Sequence, residues 1–171
     1  TLVNDLLSLA THENSGEAFE DEVRIDEVLW EIQEEMSRAF PDKKLEFNLD
    51  ELPENPDLLT VHGNQGYLKR AIGNIVNNAL KYSDGKPVEM AVSSSDHKVH
   101  IRVKDNGIGI EKADLMRIFQ PFYRGSNARQ LEGHGIGLSL AMSVFQMHNG
   151  TVNIDSAPGQ GTTVDIALPT V

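Results

Sequence analysis

Between Leu68 and Tyr82 two sets of residues recur at helical spacing, and together they dictate how this part of the chain must sit. At about 3.6 residues per turn, Leu68, Ile72, Ile75, Val76 and Ala79 gather on a broad apolar arc, while Asn74, Asn78 and Lys81 fall on a narrow stripe roughly opposite. Such a helix lays its arc on a core and turns its stripe away from it. Asn competes with the backbone for hydrogen bonds and is a mediocre helix former, so Asn74, Asn77 and Asn78 within one short stretch weaken a helix that only needs a wet face. Two readings stand: a solvated surface, or a site in which carboxamide oxygens serve Mg²⁺ as hard neutral ligands and Lys81 meets the phosphates that accompany it.

The chain has 171 residues, enough for one well-buried core and a small appendage. Its net charge of −11 speaks against a nucleic-acid partner, yet a small polyanion is acceptable where Mg²⁺ and a few cations gather. Without cysteine there is neither a disulfide nor a thiolate metal site, which fits a reducing compartment. No run of about 18 apolar residues is present, so a soluble domain without membrane contact is expected.

Leu2, Val3, Leu6, Leu7 and Leu9 have helical spacing that ends in a polar segment around Gly16, so residues 1–20 read as the end of a helix and a linker, and 21–171 as the main domain. In that linker His12-Glu13 reads as a solvated pair rather than an acid–base couple. Asp26 is a candidate cap for a helix reaching Phe40, whose apolar face is Val28, Leu29, Ile32, Met36 and Phe40, with Trp30 at its edge. Alternation at Leu45, Phe47 and Leu49 predicts a strand, and a Pro-rich loop separates it from a second strand over 58–62. Gly63 and Asn64 then open the Asn-striped helix. Val88, Met90 and Val92, followed by Val99, Ile101 and Val103, read as a hairpin, and 111–119 as a short helix. The irregular stretch 120–133 has the length of a lid. A helix from Leu138 to Met147 stops at Asn149-Gly150, and a last hairpin turns at Pro158 to Gly161.

Glycines cluster where elements begin or end. Gly133, Gly135 and Gly137 open a helix whose free N–H groups would face an anion, although any tight turn can hold glycine. Asp105 ends an apolar strand and precedes Gly107 and Gly109. It reads either as a turn residue bonded to its own loop or as an acceptor for an exocyclic amine, which adenine has and hypoxanthine lacks.

In order, Asn74-x-x-x-Asn78, Asp105-x-Gly107-x-Gly109, Phe119-x-Pro121-Phe122, Gly133-x-Gly135-x-Gly137-Leu138 and Gly159-x-Gly161-Thr162 closely resemble the N, G1, F, G2 and G3 boxes of two-component sensor histidine kinases, over about Val23 to Pro169. The resemblance implies the Bergerat fold of the GHKL superfamily: an α/β two-layer sandwich, with a mixed, largely antiparallel sheet of about five strands covered on one face by three helices, and a mobile ATP lid. By position it implies that Asn78 binds Mg²⁺ and that Asn74 supports the metal and phosphate site. Lys81, Tyr82 and, from the lid, Arg124 would contact the phosphate side of ATP. Asp105 would take the adenine amino group, Gly107 and Gly109 would let the base lie on backbone, and Thr162 would assist through water. Gly133, Gly135 and Gly137 would offer N–H groups to the phosphates. Ile108, Ile110, Phe122 and Leu138 would be apolar walls or equally ordinary core.

This sequence departs from the family at Ile136, where Leu is usual, and at His134, where a smaller residue is common; His134 either points to solvent or adds a pH-sensitive donor. DNA gyrase, mismatch-repair ATPases and the large heat-shock chaperones resemble the chain in the same boxes but have Glu at the position of Asn74. An amide is no general base, so the resemblance implies a site that holds ATP for a nucleophile brought from elsewhere. No His here has the acidic–basic–Pro setting of the family's acceptor, and residues 1–10 look like the last turns of its second dimerisation helix. The implied protein is a homodimeric sensor kinase whose cytoplasmic catalytic domain this is, with its own dimerisation and phosphotransfer domain and a cognate response regulator as partners, and with a parent that is an inner-membrane sensor in many such systems. A nucleotide-binding regulatory module and, against Asn74, a hydrolytic ATPase are the alternatives.

Overall fold

A computed structural model describes Phe19, residues 21–123, Gly125 and residues 135–171. The helix end and linker expected over 1–20 lie outside the described residues except for Phe19, as do Arg124, Gly133, His134 and most of the expected lid.

In chain order the elements are β1 (Glu22–Arg24), α1 (Ile25–Ala39), β2 (Leu45–Asn48), a 3₁₀ turn (Pro56–Leu59), β3 (Thr60–His62), α2 (Gln65–Tyr82), β4 (Val88–Ser95), β5 (Lys98–Asp105), α3 (Lys112–Leu115), α4 (Gly137–Met147), β6 (Thr151–Ala157) and β7 (Gly161–Pro169). Five strands form one sheet in the order β2-β4-β5-β7-β6, parallel only between β2 and β4. The alternation seen in the sequence explains its two faces. Met90 lies opposite Val103, Val92 opposite Ile101, and Ile101 opposite Ile166, so the apolar side chains of neighbouring strands share one buried face. On the other face Arg102 lies opposite Asp165 and is ion-paired with it at 2.6 Å.

The helices α1, α2 and α4 bury their apolar arcs in the same core, with Leu29, Ile32, Leu68, Ile72, Val76, Ala141 and Phe145 all buried there. The expected two-layer sandwich with a mixed five-stranded sheet is therefore the fold. Between α1 and α2, Lys69 holds Glu31 and Glu35 at 2.8 and 2.7 Å.

Several local expectations need correction. The ribbon of β1 and β3 is antiparallel and separate from the main sheet, and three-residue strands leave no period to read. Asp26 does not cap α1: Arg24 holds the cap position, and Asp26 in the first turn accepts two guanidinium hydrogen bonds from it, at 2.9 and 2.5 Å. The expected strand over 58–62 begins as the 3₁₀ turn, capped by Asn55 Oδ1 accepting from the Asp57 N–H at 3.1 Å, and only its last three residues are strand. Leu49 lies beyond β2 and is exposed. Of the helix expected over 111–119, four residues form α3. Trp30 is at the edge, as expected, half-exposed and edge-on to Phe47 at 4.8 Å.

Both ends of α2 are held by parts distant in sequence. At its start Asn64 Oδ1 accepts from the Tyr67 N–H at 3.0 Å, and the Asn64 N–H donates to His148 Nε2 at 3.0 Å. With Nε2 accepting, the ring proton is on Nδ1 and goes to the Val144 carbonyl at 2.7 Å. The buried ring stacks on Phe19 at 4.3 Å, and burial lowers its pKa. At the other end Lys43 Nζ donates to the Leu80 carbonyl, and the Ile108 N–H to the Tyr82 carbonyl at 3.1 Å.

Candidate functional site

A cleft of about 340 Å³ opens between α2, the loop after β5, the start of α4 and the inner face of β7. From α2 come Asn74, Asn78, Lys81 and Tyr82, from the end of β5 and its loop Asp105, Ile108, Gly109 and Ile110, from around the start of α4 Gly135, Gly137 and Leu138, and from β7 Thr162. Residues spread over nearly ninety positions thus meet in one cavity. The stripe on α2 is its floor rather than a free surface.

Two kinds of chemistry line the cleft. Asp105 is 5% exposed, and its Oδ1 accepts from the Gly107 N–H at 2.8 Å; the Thr162 N–H is a second donor to the carboxylate. Burial raises its pKa, and those two N–H groups oppose the shift. Asp105 is therefore bonded to its own loop, as the turn reading expects, and it also lines the cleft, where an amine could reach it. Carboxamides and an ammonium line the same cleft from α2. Asn74 Nδ2 donates to the Gly137 carbonyl at 3.3 Å, which ties α2 to α4 and leaves the Asn74 amide oxygen as its acceptor. Lys81 Nζ lies 5.4 Å from the centre of the Tyr82 ring.

Gly107 and Phe122 have other places than those expected. Gly107 does not line the cleft; a Cβ there would lie 1.8 Å from the Tyr82 carbonyl oxygen, so glycine is required for the loop to pass the end of α2. Gly109 does line it, at φ +67°, with its back against the Ala157 carbonyl. Phe122 is 73% exposed and outside the wall, where Ile118 and Tyr123 stand instead. Its backbone N–H donates to the Gly135 carbonyl at 2.9 Å, joining the chain before and after the stretch 126–134.

Three polar contributors were given no site role by the sequence. Tyr123 lines the cleft, donates its hydroxyl to the buried Asp114 at 2.5 Å, and lies under the Arg117 guanidinium at 4.4 Å. Asp114 and Tyr123 are nine residues apart across a turn, a separation with no periodic signature. Ser156, on the edge strand, accepts from the Ile110 N–H at 2.9 Å, donates to the Gly161 carbonyl at 2.8 Å and lies 2.9 Å from Thr162 Oγ1. Asn77, third of the Asn group, also lines the cleft.

Among the described residues no group of three or more His, Asp or Glu is placed to hold a metal. A divalent cation here relies on carboxamide oxygens and on the oxygens of an anionic ligand. Asn74, with its N–H spent on Gly137, and Asn78 in the same cleft are donors of that kind, so the residues present fit Mg²⁺ accompanied by phosphates.

Residues 63–171 match the family described as histidine kinase-, DNA gyrase B-, and HSP90-like ATPase. Sensor histidine kinase WalK of Bacillus subtilis (strain 168) is 36% identical over 184 aligned positions, covering 98% of this chain and 28% of that protein. YxdK of the same organism, also a sensor histidine kinase, is 43% identical over 107 positions, 61% of this chain and 33% of its own length. The chain thus spans about a third or less of these relatives. Among solved structures it is similar to a mycobacterial sensor histidine kinase, MprB (TM-score 0.73, 26% identity, 88% of this chain and 97% of that one). Full-length ShkA in complex with AMPPNP is similar too (TM-score 0.76, 26% identity, 99% of this chain and 35% of that one).

Proposed function

The chain belongs to the histidine kinase-, DNA gyrase B- and HSP90-like ATPase family, and from that premise we propose that it binds Mg-ATP and donates the γ-phosphate to a histidine on a dimerisation helix outside this sequence, as the kinase domain of a two-component sensor. The observation that carries the reading is the set of groups that share one cleft. Buried Asp105 and half-buried Thr162 line it together with Asn74, Asn78 and Lys81.

In this reading Asp105 takes the N6 amino group of adenine, a charge-assisted hydrogen bond strengthened by its burial. Gly109 gives the base room against backbone, and Ile108, Ile110 and Leu138 enclose it. Gly135 and Gly137 meet the phosphates where α4 begins, and Lys81 and Tyr82 meet them from α2, joined by Arg124 and Gly133. Asn74 and Asn78 would hold Mg²⁺, which when bound offsets phosphate charge and helps orient the transferred group. The domain's contribution is positioning and charge neutralisation. The acceptor imidazole nitrogen bonds to the γ-phosphorus as the bond to the bridging oxygen breaks and ADP leaves, and the acid–base partner comes from the acceptor's helix. Asn74, an amide already bonded to Gly137, does not prepare water for attack.

The partners that follow are the dimerisation and phosphotransfer domain, a second copy of the whole protein and a cognate response regulator. The domain itself would work on the cytoplasmic side of an inner-membrane sensor. No helix among the described residues is long and apolar enough to cross a membrane.

Titrating the purified chain with ATP and GTP, with and without Mg²⁺, and then supplying the dimerisation domain with [γ-³²P]ATP, tests the proposal. Mg²⁺-dependent, adenine-selective binding and label on histidine are expected. Binding without transfer would make it a regulatory module, and steady phosphate release to water would make it an ATPase.

A further inference from the structure

The Ser156 hydroxyl makes three contacts but has a single proton. The Ile110 N–H can only donate and the Gly161 carbonyl can only accept. The arrangement that satisfies both has Ser156 receiving from Ile110 and giving its proton to Gly161. Its remaining lone pair then faces Thr162 Oγ1 at 2.9 Å, and Thr162 must be the donor of that bond. With its only proton directed at Ser156, Thr162 turns lone pairs, and no O–H, toward the cleft that it lines. Asp105, beside it across the β5–β7 register, is likewise an acceptor.

We propose that Ser156 is a specificity-determining positioning residue: by holding the Thr162 proton away from the cleft, it makes this end of the site acceptor-only and so selective for a purine with an amino group, rather than a carbonyl, at C6. This rests on the nucleotide-binding reading above and deepens it. Adenine offers two N–H donors at C6, whereas hypoxanthine and guanine place a carbonyl oxygen there, lone pair against lone pair. A Thr162 hydroxyl released from Ser156 can rotate and donate to that carbonyl. Discrimination then depends on a side chain that does not itself line the cleft.

The same serine also links the loop after β5 to the β6–β7 turn, so its loss is expected to loosen the site as well as change its polarity. These effects separate by ratio, because loosening weakens all purine nucleotides together while polarity changes their order. Calorimetric titration of the whole chain with ATP and ITP in Mg²⁺ buffer gives that ratio. Ser156→Ala should cut the ATP-over-ITP preference by about two- to twelve-fold, the worth of one hydrogen bond. Ser156→Thr, which restores a hydroxyl, should recover it, and in a Thr162→Val background Ser156→Ala should leave the ratio unchanged. If Ser156→Ala does not fold, Ser156→Cys, a poor hydrogen-bonding group of similar size, serves in its place. Equal losses for both nucleotides, or an unchanged ratio, overturn the inference while leaving the nucleotide reading intact. An unaltered chain that binds neither nucleotide removes both.

Discussion

Lowering the pH should weaken the fold through His148, and the structure sets both the sign and the size. In the native state the ring is neutral, with Nδ1–H given to Val144 and Nε2 accepting from Asn64. Burial lowers its pKa below the value of about 6.5 that it has when exposed in the unfolded chain. Above that value neither state takes up a proton and this contribution to stability is complete. As pH falls below it, the unfolded chain is protonated first and stability declines, until pH passes the lowered native value. Protonating the folded ring sets an Nε2–H against the Asn64 N–H, losing one bond and leaving buried donors unmatched, a cost of about 1–3 kcal/mol. Linkage of a single proton over the roughly 1.5 pH units from 6.5 down to 5.0 limits what is lost in that range to at most about 2 kcal/mol, so for a domain of this size the melting-temperature drop by pH 5.0 is roughly 2–8 °C. Thermal denaturation followed by circular dichroism between pH 7.5 and 5.0 measures it, with His148→Gln as the reference, whose amide oxygen can accept from Asn64 without titrating. Subtracting the two curves removes the other titrating groups. A flat difference across this range would refute the hydrogen-bonding assignment of the ring.

Asp105→Ala should weaken ATP binding by about 1.5–3 kcal/mol, the worth of a charge-assisted hydrogen bond, and calorimetry showing less than a twofold change would remove Asp105 from base recognition. Asn78→Ala should abolish Mg²⁺-dependent ATP use while the circular dichroism spectrum and melting temperature stay close to the original; autophosphorylation surviving in the intact protein would contradict its metal role. Gly107→Ala drives a methyl group into the Tyr82 carbonyl region, so urea denaturation should show a loss of about 1–3 kcal/mol, with weaker ATP binding as the loop shifts from α2. Retention of both stability and affinity would mean that the loop relaxes freely.

Long, strongly periodic elements were legible from the residues alone. The arc on α2 and the alternation in β4 and β5 appear in the structure because each has one face to bury and enough residues to show its period. Short elements were not: β1 and β3 owe their existence to each other's backbone, and α3 stops where 111–119 had seemed long enough to continue. In the cleft, residues with unusual chemistry for their position stood out, such as Asn on a helix or Asp at a strand end. Those acting through one tertiary contact did not. Ser156 is an ordinary serine until the Ile110 N–H reaches it, and Tyr123 an ordinary aromatic until it meets Asp114. Gly107 was rightly singled out for close approach, but the approaching group is the chain's own helix terminus.

Because α2 is fastened at its first turn through Asn64 and at its last through Leu80 and Tyr82, its amides and lysine stand on a platform that exists before any guest arrives. Ordering a long side chain on association commonly costs about 0.5–1.5 kcal/mol. At this wall the helix backbone and the Asn74 amide, held by Gly137, are already set by folding, so the ordering that remains for α2 on complex formation should fall mainly on its long Lys81 side chain.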